Sequence, residues 1–274
     1  PTPKSLPAMH SASDPIGVLD SGLGGLSVLK ALKSELPHER FLYAADCAHA
    51  PWGDKSEAYV VDRTRTIIRF LIEHGAKAVV LACNTATAAA ADTVRREFSL
   101  PIVGIEPAVK PAAALTRTGV IGVLATRRTI ESERYHSLVR RFAQGVKVVS
   151  VAAPGLMECV ERGDFQSRET FALLDRYLDP ILQAGADKLI LGCTHYPFLS
   201  EAIRQLTGDA LELLEPGHPV ALVTRRRLAD LGLLGAGADT PHPVCRYFVA
   251  GAAKHAPTLV LLEPDALNIE ELNV

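Results

Sequence analysis

Apolar residues along the chain fall into two alternating patterns. Short continuous runs occur at 16–19, 41–43, 78–81, 102–105, 120–124, 146–151, 189–191 and 211–214. Such runs suit strands buried on both faces of a parallel sheet. Between them the apolar positions recur every three to four residues. Val60, Val61, Thr64, Ile67, Ile68, Leu71 and Ile72 share one helical face, with Ser56 placed to cap the start and Gly75 to close the end. A second helix is expected from about 167 to 185, striped by Phe171, Leu174, Leu178, Ile181 and Leu182. This alternation predicts an α/β fold with mainly parallel sheets.

The pattern repeats. Residues 74–85 align with 184–195 at an offset of 110, which sets Cys83 against Cys193. Residues 16–20 align with 121–125 at an offset of 105, and 105–107 with 214–216 at 109. Three matches in one order at nearly one offset predict two similar α/β domains related by a pseudo-twofold axis. The expected boundaries lie near Val109 and Gly217. A loose tail covers 1–14, a first domain covers 15–109 plus 218–274, and a second covers 110–217. Open parallel sheets bind ligands beyond the carboxyl ends of their strands. The polar signatures fall there, so the active site is expected in the cleft between the domains.

Composition narrows the partners. Of 274 residues, 48% are hydrophobic and 22% charged, and the net charge is −2. This is a globular balance with no basic excess to favour nucleic acid as the main partner. No run approaches the roughly 18 apolar residues of a membrane span. The first 14 residues lack the apolar stretch of a signal peptide. Five cysteines with no Cys-x-x-Cys spacing read as reduced thiols of a cytoplasmic protein.

Cys83 and Cys193 each follow an apolar strand and precede an expected helix start, where the dipole favours a thiolate. A buried free cysteine is ordinary, but two at repeat-equivalent positions, each followed by small polar residues, point to chemistry. Residues 20–27, opening on Asp20, Ser21 and Gly22, form a Gly-rich loop after a strand. It reads equally as an anion cradle or as a tight turn. It is neither the dinucleotide fingerprint nor a phosphate-binding P-loop. His195 beside Cys193 suits acid–base work. Neither Cys193–His195 nor Cys47–His49 has the four-ligand spacing of a structural zinc site, so no metal is expected. Cys159 and Cys245 read as packing residues. Glu161 reads as a charged residue in an irregular stretch.

These motifs resemble glutamate racemases, in the aspartate/glutamate racemase superfamily. The matching stretches are 20–28, 51–53, 82–87, 104–111 and 191–197, in the family's order, and the likeness covers roughly 16–227. The resemblance implies a cofactor-independent isomerase that interconverts L- and D-glutamate by two-thiol α-proton transfer and supplies D-glutamate for the bacterial cell wall. Cys83 and Cys193 fall on the two catalytic thiols, Asp20 and His195 on the groups that assist them, and Glu161 on a further catalytic carboxylate. Asp20, Ser21, Pro51, Trp52, Gly53, Asn84, Thr85, Thr126, Thr194 and His195 fall on substrate-holding positions. Trp52 stands where the family usually has Tyr, and Glu215-Pro216-Gly217 where an Asp-containing motif is usual. Beyond Arg227 the match is poor. The family often forms homodimers. Rival readings are a racemase of the same scaffold for aspartate or a hydantoin, an amino-acid-binding regulator, and a Cys–His hydrolase. The last leaves the second cysteine unexplained.

Overall fold

Strand and helix alternate along almost the whole chain, and the connections wind two separate parallel sheets. The computed structural model describes residues 10–235 and 244–274. The elements run β1 (Ile16–Asp20), α1 (Leu26–Glu35), β2 (Phe41–Ala45), α2 (Glu57–Glu73), β3 (Ala78–Leu81), α3 (Asn84–Glu97), β4 (Ile102–Gly104) and α4 (Val109–Leu115). They continue with β5 (Val120–Ala125), α5 (Arg127–Glu131), α6 (Glu133–Phe142), β6 (Lys147–Ala152), α7 (Leu156–Glu161), α8 (Arg168–Gln183), β7 (Lys188–Gly192), α9 (Ser200–Thr207) and β8 (Glu212–Leu214). The last are α10 (Gly217–Asp230), β9 (Cys245–Val249), α11 (Ala252–Leu262) and β10 (Ile269–Glu271).

The first sheet has the order β10-β9-β2-β1-β3-β4 and the second β6-β5-β7-β8. The order β2-β1-β3-β4 is thus repeated as β6-β5-β7-β8. The register repeats as well: Ile16 faces Ala78 in the first sheet, and the equivalent Ile121 faces Lys188 in the second. The third sequence match is slightly displaced. Val79 pairs with Ile102 and its equivalent Leu189 with Leu213, so the last strands are offset by 111 rather than 109. A slip of two residues keeps every side chain on its face.

Each sheet is covered on both sides. Leu26, Leu29 and Leu32 of α1 pack with Val18, Tyr43 and Val80 on one face. Ile67, Ile68 and Leu71 of α2, with Ala86, Ala90 and Val94 of α3, meet Leu19, Leu42, Val79 and Leu81 on the other. Leu174, Leu178 and Ile181 of α8 do the same for Leu124, Leu189 and Leu191 of the second sheet. Truncating one such leucine to alanine costs about 2–5 kcal/mol.

The expected caps are in place. Ser56 Oγ accepts the Tyr59 N–H at 3.2 Å, and Gly75 closes α2 with φ +87°, a left-handed value that favours glycine. Ser167 likewise caps α8 through Thr170 N–H.

β9 and β10 were not expected as strands. β9 holds the short apolar stretch Tyr247–Val249 behind Arg246, and β10 is three residues long with two glutamates. β9 pairs with β2, which returns the C-terminal segment to the first sheet. Residues 1–9 of the expected tail lie outside the described residues. Residues 11–14 form a turn closed by Asp14, and the buried Lys77 Nζ binds the Ala12 carbonyl at 2.5 Å. Among the described residues no helix is long and apolar enough to cross a membrane, and all five cysteines are free thiols.

Candidate active site

The carboxyl ends of β1, β3, β5 and β7 converge on one small cavity of about 50 Å³. Ser21, Pro51, Trp52, Gly53, Cys83, Asn84, Thr85, Thr126, Cys193, Thr194 and His195 all line it, so nearly every residue singled out from the sequence is brought together. Asp20 and Glu161 are not on the wall; they stand behind it. Met157, Glu158 and Tyr196 also line the cavity; no motif surrounds the first two, and Tyr196, inside the 191–197 stretch, was not singled out. A much larger groove, about 1080 Å³, is lined by Phe98, Leu100, Pro107, Phe142 and Val220. It contains neither of the paired thiols nor His195, so the chemistry belongs to the smaller space.

Cys83 is the N-cap of α3, and its Sγ accepts the Ala86 N–H at 3.3 Å. Ser21 Oγ lies 3.4 Å from the same sulfur. Burial, then the charge of Asp20, pushes the Cys83 thiol up to about 12, against the opposing pull of Ser21 and the Ala86 amide. Cys83 is therefore a thiol at neutral pH. The helix start that was expected to favour its thiolate is outweighed by desolvation. Cys193 differs: a 3-10 turn at Tyr196–Leu199 separates it from α9, so no α-helix begins at the thiol. Its partner is His195, whose Nδ1 lies 3.7 Å from Sγ.

His195 Nε2 lies 2.7 Å from Glu161 Oε1. Burial pulls the imidazole pKa down, but Cys193 and Glu161 more than reverse this and hold it well above the ordinary range. Burial would raise Glu161, yet the hydrogen bonds from His195 and the Leu23 N–H, with the His255 imidazole nearby at 3.5 Å, bring it to about 2. A carboxylate and an imidazolium therefore back Cys193. Glu161 is the last residue of α7, which corrects the irregular stretch expected there. The helix is only six residues long, too short to show a period in the sequence.

The Gly-rich loop resolves into a third arrangement. Gly22, Gly24 and Gly25 do not adopt positive φ, so no left-handed turn requires them. They are small because side chains press against them. A Cβ on Gly22 would stand 2.2 Å from Glu161 Oε1, and one on Gly24 2.3 Å from His195 Nδ1. The loop does cradle anions, but they are the protein's own. Gly22 N–H and Gly25 N–H bind Asp20 Oδ2 at 3.1 and 3.0 Å, and Leu23 N–H binds Glu161 Oε1 at 2.6 Å. Asp20 is fully buried; burial raises its pKa against the pull of His195 and those amides. Its Oδ1 accepts the Thr194 hydroxyl at 3.2 Å. Asp20 reaches Cys83 through its charge, while Ser21 makes the contact.

Asn84 points to a ligand. Both polar atoms of its side chain are buried without a hydrogen-bond partner, as is Trp52 Nε1, and both residues line the cavity. Buried amides are nearly always satisfied in folded proteins, so a polar guest is the natural partner. The first amides of α3 add donors suited to a carboxylate. Cys47 and His49 do not act as a pair: His49 binds Asp46 at 2.8 Å, while Cys47 faces Glu161 and His255.

Two α/β halves each bring one cysteine to a single polar cavity. The chain belongs to the Asp/Glu/hydantoin racemase family, whose model matches residues 16–223. Among its relatives, a glutamate racemase from Ectopseudomonas mendocina is 49% identical over 244 residues, covering 89% of this chain and 92% of the relative. The crystal structure of a glutamate racemase from Bacillus anthracis superposes with a TM-score of 0.84 at 30% identity, covering 95% of this chain and 98% of that one. A glutamate racemase from Francisella tularensis, solved in complex with D-glutamate, gives a TM-score of 0.82 at 28% identity, with 96% and 98% covered.

Proposed function

We propose that this protein interconverts L- and D-glutamate without a cofactor, by passing the α-proton between Cys83 and Cys193. The observation that carries the reading is the pair of repeat-equivalent thiols on one small cavity whose Asn84 amide has no partner. The relatives' common activity supports glutamate over aspartate or a hydantoin. In one direction the Cys193–His195 pair reacts as thiolate and imidazolium: the thiolate removes the α-proton, and Cys83, a thiol in the resting state, protonates the opposite face. The other direction starts from the form this step leaves, with Cys83 as thiolate and Cys193 as thiol, and the same two transfers run backward. Both steps conserve protons, and each enantiomer meets one base and one acid.

The carbanionic intermediate needs fixed donors in a dry site. Asn84, Thr85, Thr194 and the first amides of α3 supply them. Among the lining residues, Thr85 Oγ1 and Thr126 Oγ1 stand 2.9 Å apart, and Asp54 and Arg127 pair at 3.9 Å, so each contact joins the two halves beside the cavity. The product would serve peptidoglycan synthesis in the cytoplasm, and the active form would be a monomer or homodimer.

The test is racemisation in deuterated water. Product of inverted configuration should carry α-deuterium from the first turnovers while unreacted substrate stays protiated, starting from either enantiomer. Cys83→Ala and Cys193→Ala should each abolish inversion. Activity should survive chelation and carbonyl reagents. Near-normal racemisation by either alanine variant would refute the two-thiol reading, and turnover of aspartate alone would refute the substrate.

A further inference from the structure

Glu161 uses only half of its carboxylate on the groups already described. Oε1 takes His195 Nε2 and the Leu23 N–H, whereas Oε2 is buried without a hydrogen-bond partner. An oxygen of an ionised carboxylate left bare in the interior is strongly disfavoured. The nearest ring nitrogen on that side is His255 Nδ1, 3.5 Å from Oε2, with both side chains 11% exposed. A small rotation of the imidazole closes this to a hydrogen bond.

His255 sits on α11, in the C-terminal segment that belongs to the first sheet, while Glu161 ends α7 of the second half. Glu271 fixes the start of α11, accepting the Gly251 and Ala252 amides at 2.6 and 2.8 Å. The helix is therefore held at the height that sets His255 over Glu161. The other titratable groups facing Glu161 are His195, Asp20 of β1, Tyr43 of β2 and Cys47. Asp20 can only repel it, and burial followed by Glu161 itself keeps the Cys47 thiol neutral. Cys47 Sγ, a carboxylate oxygen of Glu161 and a ring nitrogen of His255 lie within 4.8 Å of one another, and the thiol is at best a weak donor.

We propose that His255 is a positioning residue: its Nδ1–H holds Oε2, so that Glu161 stays ionised with Oε1 turned to His195, and His195 in turn is ready to exchange a proton with Cys193. This rests on the reading of Cys193 and His195 as one acid–base pair. His255 does not line the cavity, so its effect falls on turnover and not on substrate binding. Loss of a hydrogen bond to a buried charge predicts a fall in kcat of about ten- to a hundredfold.

The experiment compares His255→Leu with His255→Asn, whose amide nitrogen stands near the position of Nδ1. For His255→Leu, kcat should drop by that factor with KM within about twofold. The Glu161 carboxyl, followed by carbon-13 NMR, should titrate at higher pH than in the unmodified protein. His255→Asn should recover most of kcat and the low titration. In the unmodified protein, nitrogen-15 NMR should show a proton on His255 Nδ1 at neutral pH, a readout that needs no variant to fold. Unchanged kcat with an unmoved Glu161 titration in His255→Leu overturns the proposal, as does a bare Nδ1. If the unmodified protein does not racemise glutamate, the proposed function fails. The titration and the Nδ1 signal then still decide whether His255 holds Glu161.

Discussion

Gly24→Ala inserts a single methyl group where the structure leaves no room for it. The new Cβ would lie 2.3 Å from His195 Nδ1 and 2.6 Å from two ring carbons. Ordinary carbon contacts begin near 3.5 Å, so loop and ring must separate by about 1 Å. The ring cannot retreat freely, because Glu161 grips Nε2 at 2.7 Å and Cys193 stands at Nδ1. The loop cannot retreat without loosening the two amides on Asp20. Overpacking of this kind costs about 1–3 kcal/mol of stability. A 1 Å displacement of a catalytic group costs about a hundredfold in rate. Urea unfolding measures the first and racemisation of each enantiomer the second. Gly217→Ala is the control, since its methyl meets nothing nearer than 3.5 Å. The decisive comparison is in the His195→Ala background, where the ring is gone and Gly24→Ala should cost little further stability. If Gly24→Ala alone melts and turns over like the unmodified protein, the close approach is wrong. An undiminished stability penalty in the His195→Ala background would place the clash elsewhere.

Two further perturbations follow from buried charges. Glu161 titrates at about 2 when folded and near 4.5 when unfolded, so its contribution is complete above pH 4.5 and is lost as pH falls toward 2. That contribution is about 3 kcal/mol, so the stability difference between the unmodified protein and Glu161→Gln, from urea unfolding, should shrink between pH 5 and pH 3; a constant gap would contradict it. Lys77, fully buried, binds Glu39 Oε2 at 2.6 Å. Lys77→Met should cost about 3–5 kcal/mol by stranding Glu39, and Lys77→Met with Glu39→Gln should recover part of it.

How far the sequence reveals this protein depends on whether a feature is local. Most strands of the repeat are continuous apolar runs, interrupted only by Lys147 and Ser150 in β6 and flanked by Lys188 and Glu212 in β7 and β8, and α2 and α8 carry both stripe and cap, so each is readable from neighbouring residues. β9 and β10 gain their place from pairing with β2 and with each other, outside the repeat that marks the other strands. The cavity residues cluster after strand ends and are legible as motifs. Glu161, His255 and the function of the Gly-rich loop are not, because each depends on contact between halves. Gly22 gives no sign in the sequence that a carboxylate from residue 161 will fill the space its missing side chain leaves. Cys83 shows the same limit: its place at a helix start is visible in the sequence, but the desolvation that outweighs the dipole depends on how closely the halves approach.

The two halves dock alike but carry different chemistry at the junction. Two residues after each cysteine of the pair, a side chain crosses to the loop after the first strand of the other half. Thr85 reaches Thr126 after β5, and His195 reaches the Gly22–Gly24 loop after β1. The contacts are equivalent under the repeat, yet one is a hydroxyl pair and the other a charged pair backed by Glu161. Asp20 breaks the symmetry in the opposite sense, since its repeat partner is Ala125. The second half therefore supplies the imidazole, and the first supplies the carboxylate whose field adds to burial in keeping Cys83 protonated. A racemase with identical halves would present two thiols of equal acidity, with no assigned base in the resting state. On the proposed reading, divergence at positions 20 and 195 distinguishes the two thiols, with Cys83 beside a buried carboxylate and Cys193 beside an imidazolium, while the repeat places both sulfurs on one cavity.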